Sequence, residues 1–127
     1  MPFISFSKAT HVGSPDHLRI NTDAVLYVEA SRPDLIGLTT IHMLGQDSVV
    51  NAVTASIDTV VNAIGGLVAG TQHYLAPMPD TGPSTLYILP ANVSYVRPNT
   101  PADPEFWYVK FVDGSQVRLV DPLPTGL

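Results

Sequence analysis

The chemistry available to this chain rests on four histidines, nine aspartates and one dense aromatic run. His11 and His17 stand six apart in a stretch containing Gly, Ser and Pro. That spacing matches no zinc-ligand pattern, and the pair reads more simply as solvated loop residues. His42 sits inside an apolar run, where a packed or interface histidine hydrogen-bonded to a neighbour is expected rather than a catalytic base. His73 has no partner motif. Asp16, Asp23, Asp34, Asp47, Asp58, Asp80, Asp103, Asp113 and Asp121 nearly all adjoin Pro, Gly, Ser, Thr or Asn, as turn and cap aspartates do. No catalytic pair of carboxylates emerges from that pattern. Gly65 to Gly70 follows a helical pattern instead of opening one, the wrong context for phosphate binding. No serine lies in a Gly-x-Ser-x-Gly turn. Neither an enzymatic site nor a cofactor or metal site is expected.

The aromatic run Phe106 to Phe111 could stack bases or sugars. Nucleic-acid platforms interleave aromatics with several basic residues, however, and here only Lys110 lies inside the run. Packing in a core or an interface is the expected use. A net charge of −5 and six scattered Lys and Arg residues argue against nucleic acid or an anionic membrane as the main partner. The N-terminal Met1 to Lys8 lacks a basic region and a long apolar stretch, so no signal peptide is expected. Ala63 to Tyr74 is cut by three glycines and falls short of a membrane span. Absence of cysteine excludes a disulfide framework.

The elements that would position these residues are mainly β. A chain of 127 residues suits one domain or two very small ones. Ile20 to Val28 and Ile88 to Val96 align without a gap at an offset of 68, sharing Ile, Val, Tyr and Val at four places. Each leads through a polar, proline-containing connection into an apolar run, a turn and another apolar run. Two related halves are therefore predicted. In the first, Leu18 to Asn21, Ala24 to Ala30, Leu35 to Met43 and Val49 to Val53 read as strands. A strand over Phe3 to Ser7 could precede them. One helix follows, with Thr54 or Ser56 as N-cap, Ile57, Val60, Val61 and Ile64 on one face, and Gly65 as terminator.

Residues 67 to 84, rich in Gly and Pro, read as an irregular connector. The second half, 85 to 127, carries strands over Thr85 to Leu89, Val93 to Arg97, Glu105 to Val112 and Gln116 to Val120. Asp121 to Leu127 reads as an extended arm. The predicted fold is thus two small antiparallel units, ββββα (1 to 66) then ββββ, packed as a sandwich or barrel-like body with proline-rich extended termini. Taking Asp113-Gly114 as a two-residue hairpin loop pairs Phe111 with Gln116 and Lys110 with Val117. That register leaves both faces of the last hairpin substantially apolar, and a bulged turn is expected to leave this conclusion standing. One face would then need covering by the other half or by another chain.

Charged residues make up only 13% of the chain, about half the usual share. Such a surface points to burial in an assembly. The interface candidates are Phe3 and Phe6 in the N-terminal segment, Tyr74 and Met78 in the connector, Trp107 and Phe111 on the hairpin, and Leu123 and Leu127 in the tail.

The runs Ile20 to Ala30, Asp34 to Thr40 and Val53 to Ile64 resemble the short β-modules of FlbD-like flagellar small proteins and of small bacteriophage virion proteins. The second half is similar only through Ile88 to Val96 and the later hairpin, and lacks the closing helix. The resemblance carries no catalytic residue. It implies a non-enzymatic capsid decoration or cement protein at the virion surface, a homo-oligomer, specifically a trimer, that contacts the major capsid protein. The alternatives it leaves are an intracellular adaptor that binds one protein, or a small carbohydrate-binding module using Trp107 and Tyr108.

Overall fold

Strands β1 (Phe3–Lys8) and β2 (Asp16–Asn21) form an antiparallel hairpin in which Phe6 faces Leu18 and Ile4 faces Ile20. This computed structural model describes residues 3–8, 16–30, 38–45, 51–74 and 84–127. After β2 the chain tightens into a 3-10 turn over Thr22–Ala24, which the Asn21 side chain caps by accepting from the Asp23 N–H. It then runs through β3 (Val25–Ala30), β4 (Thr39–Met43) and β5 (Asn51–Val53), and Lys8 of β1 lies opposite Val53. Helix α1 (Ile57–Ile64) follows, with Ser56 as N-cap and Gly65, at φ 75°, ending it. Helix, cap and terminator agree with the sequence reading.

Residues Val68–Thr71 then form β6, which pairs with β7 (Thr85–Ile88). A second 3-10 turn (Pro90–Asn92) leads to β8 (Val93–Pro98), β9 (Phe106–Phe111) and β10 (Gln116–Val120). Two antiparallel sheets result, ordered β2-β1-β5-β4-β3-β7-β6 and β10-β9-β8, joined by a bridge between Gln72 and Leu119. Among the described residues the protein is mainly β with a single short helix, and its layers pack in the manner of a sandwich. The connector expected over 67 to 84 is corrected: its first residues are a strand of the second unit. Val68-Ala-Gly-Thr71 is too short and too glycine-rich to be recognised as a strand.

The duplication extends through the strands of both units, five in each among the described residues: β1 falls on the strand expected over Phe3 to Ser7, and β6 is the one strand not predicted. Val25 faces Met43 and Tyr27 faces His42 across one bulge, and Val93 faces Phe111 and Tyr95 faces Lys110 across another at the same place. The Leu44 N–H donates to Ala24 O at 2.8 Å, and the Val112 N–H to Asn92 O at 3.0 Å. Lys8 opposite Val53 is matched by Gln72 opposite Leu119. The pairs within β3, β4, β8 and β9, and the bonds of Leu44 and Val112, repeat the sequence offset of 68, whereas the β1–β5 pair and its counterpart do not. Such agreement in bulge, turn and ladder identifies one supersecondary unit used twice.

Two cores form, and each draws on both units. Phe6, Ile20, Val25, Val28, Ile41 and Val53 surround Val60 of the helix, with Tyr87 and Leu89 packed against them, while Leu26 of β3 joins Leu86, Ile88, Val109, Phe111, Val117 and Leu119 in the second cluster. Leu127 closes the second cluster as Val60 closes the first. The tail is therefore no extended arm: the Leu127 N–H returns to Pro124 O, and Pro124 lies against Gly70. Gly70 stands where the first unit has Phe6, since these residues face Leu86 and Leu18. A Cβ at Gly70 would sit 2.8 Å from Leu119 Cδ1. The proline-bearing tail and Leu119 occupy the space that a phenylalanine fills in the first unit. β1 corrects the other expected arm, because Phe6 is buried in the core.

The last hairpin turns over three residues. Gly114, at φ 94°, donates to Phe111 O, and Phe111 donates to Ser115 O. Lys110 consequently faces Gln116, one residue off the two-residue register. A slip of one exchanges the faces. Trp107, Val109, Phe111, Val117 and Leu119 now point inward together, and the outward face holds Phe106, Tyr108, Lys110, Gln116, Arg118 and Val120. The expectation of two apolar faces is corrected, for the chain covers the apolar one itself.

Candidate interaction surfaces

The outward face of β8–β10 collects side chains from three strands. Tyr108 faces both Arg97 and Arg118 across the sheet, and the Arg97 guanidinium carbon lies 4.3 Å from the Tyr108 ring centroid. The next row is Tyr95, Lys110 and Gln116. Half of the chain's six basic residues therefore stand on this face. The sequence reading found only Lys110 there, because pairing across β8 and β10 is what brings Arg97 and Arg118 beside the aromatics. His73 stacks on Phe106 at 4.1 Å, and Phe106 meets Tyr108 edge-on at 5.2 Å. His73 Nε2 approaches Glu105 Oε1 at 3.7 Å, and its backbone N–H donates to Arg118 O. Among the described residues, His73 Nδ1 and Arg118 Nε are buried without a hydrogen-bond partner.

The predicted contact residues fall in different places. Phe6 and Phe111 are core. Phe3 is exposed beneath the Arg19 guanidinium, 5.4 Å from its ring centroid. Trp107 is half-buried on the inward side, its indole N–H donating to Asp121 at 2.9 Å. The Tyr74 hydroxyl bonds Gln72 and Ser84, tying the end of β6 to the start of β7. Leu123 and Leu127 are half-buried in the folded tail. Met78 and His11 lie outside the described residues. His42 bonds Glu29 at 2.8 Å and stacks on Tyr27 at 4.0 Å, the packed role expected for it. Burial pushes the Tyr27 phenol far above its usual range, and the Glu29 carboxylate adds to the shift. Among the described residues no group of three potential metal ligands occurs, and no helix is long and apolar enough to cross a membrane.

The two units meet through equivalent positions. The Gly45 N–H donates to Asp113 Oδ2 at 3.0 Å, and these two residues are one repeat apart. The Asn92 amide donates to Asp23 O at 2.7 Å and Val25 O at 2.8 Å, on either side of its own counterpart Ala24. Partial desolvation opposes ionisation of Asp113, but hydrogen bonds from the Ser115 hydroxyl and from the Gly45 and Ser115 N–H groups hold its carboxyl below the usual value. Beside this contact stand the matched hairpin-tip residues Leu44 and Val112, 41% and 56% exposed.

No family model, curated protein or solved structure matches this chain.

Proposed function

We propose that the chain is a non-enzymatic structural protein that works as part of a larger particle, most specifically as a decoration or cement protein of a bacteriophage head. The observation that carries the reading is a pair of exposed apolar residues beside the contact between the two units. Leu44 and Val112 recur at the same place in both units and stay uncovered, although a chain this poor in charge has little else with which to stay apart from its neighbours. The basic outward face of β8–β10 adds a surface complementary to an acidic shell protein, on a chain whose net charge is −5. The resemblance noted in the sequence supplies the particle, and the major capsid protein is the proposed partner.

Sedimentation velocity over a range from about 1 to 100 μM tests the assembly. Self-association in this range, weakened by Leu44→Asp or Val112→Asp, is expected; a monomer throughout overturns it. Pelleting with DNA-free heads of the encoding phage tests the location. Saturable binding supports the decoration role, and absence of binding removes it.

A further inference from the structure

The duplicated unit leaves one strand pairing unfulfilled. Within the chain the first unit is joined to the second by β3 and β7: Tyr27 faces Ile88, Val28 faces Tyr87, Glu29 faces Leu86, and the Leu89 N–H donates to Leu26 O. The strand equivalent to β3 in the second unit is β8, and the strand equivalent to β7 in the first is β2. Both are sheet ends, and among the described residues no strand pairs with their outer sides. Side chains agree. Tyr27, half-buried, stacks against Phe111 of the second unit at 5.7 Å, while its counterpart Tyr95 is 49% exposed, with no further unit to cover it.

We infer that β8 of one copy pairs antiparallel with β2 of a second copy, repeating between chains the contact that β3 and β7 make within one. The register follows from the internal pair. Tyr95 faces Ile20 of the second copy, Val96 faces Arg19, and Arg97 faces Leu18. Tyr95 then lies over Met43 of the second copy, which stands where Phe111 stands in the second unit. Pro98 takes the place of Ala30, just beyond the internally paired residues, so the missing N–H does not interrupt the ladder.

Such an interface is head-to-tail. It closes a ring if the rotation allows and continues as an open chain otherwise, and any closed ring contains an even number of units. Ser94 in place of Leu26, and Arg19 in place of Tyr87, make this edge more polar than the internal one. Association is therefore reversible, and the free chain keeps an edge guarded by charge.

The inference rests on the assembling role proposed above, and disulfide trapping separates the two. The chain has no cysteine of its own, so single-cysteine variants report cleanly. Arg19→Cys and Val96→Cys proteins are mixed, oxidised and resolved without reductant, since a hydrogen-bonded antiparallel pair holds Cα atoms about 5.5 Å apart, within disulfide reach. A 19–96 heterodimer at least tenfold above both homodimers is expected. Leu18→Cys with Arg97→Cys tests the same register should Val96→Cys fail to fold. Self-association with only 19–19 or 96–96 links overturns the inference and leaves the assembling role intact. A monomer without links overturns both. In a protein carrying both Arg19→Cys and Val96→Cys, an internal disulfide in the monomer also overturns it, because the two units would then close on themselves.

Discussion

Replacement of Asn92 by alanine removes both amide bonds that cross from the second unit to the backbone of the first, to Asp23 O at 2.7 Å and Val25 O at 2.8 Å. A hydrogen bond contributes about 0.5 to 1.5 kcal/mol net, so the pair is worth about 2 kcal/mol. At about 2.1 cal/mol/K of unfolding entropy per residue, that loss lowers Tm by about 7 °C in a chain of this length. Asn92→Asp is expected to be worse than Asn92→Ala. It places a carboxylate, which can only accept, against two carbonyl oxygens. Urea unfolding followed by circular dichroism measures both variants against the parent. The reasoning is refuted if alanine costs less than about 0.5 kcal/mol, or if aspartate is the milder change, since neither result fits an amide donating to both carbonyls.

Gly70→Ala should destabilise by about 1 to 3 kcal/mol in thermal melts, because the added methyl meets Leu119 at 2.8 Å in a filled core; an unchanged or raised Tm would show that Leu119 can move aside. Removing Pro122 to Leu127 takes Pro124 from Gly70 and Leu127 from the second core, so the truncated protein should melt several degrees lower. An unaltered melt would return the tail to the status of a free arm. Asp113 has a folded pKa below its unfolded value, so its contribution is complete above the unfolded value of about 3.9 and is lost as pH falls through the folded one. Asp113→Asn should therefore flatten the decline of Tm below about pH 4, and an identical pH profile would contradict this.

The duplication was visible in four residues of one segment, Ile20 to Val28 against Ile88 to Val96, because these carry the bulge and 3-10 turn that both units need. Val68–Thr71 was not visible as a strand. Its Gly70 reads as a turn residue, yet it is fixed by the approach of Leu119 and Pro124 from far along the chain. The three-residue loop shifts the hairpin register by one residue because Asp113-Gly114 also serves such a loop, and only the backbone of Asp113, which lacks the positive φ that a two-residue type I′ turn needs, decides between them. From that slip came the false pair of apolar faces. Of the interaction surfaces, Lys110 and Tyr108 were legible as neighbours in sequence. Arg97, Arg118 and His73 join them only through β8, β10 and the bridge at Gln72, contacts that no local pattern encodes.

Amide hydrogen exchange at low and high protein concentration tests the central claim most directly, because it reads strand edges residue by residue. If the unit repeats between chains as it does within one, β2 and β8 gain protection as concentration rises, while β3 and β7 are protected throughout. Self-association that leaves exchange in β2 and β8 unchanged would contradict the account.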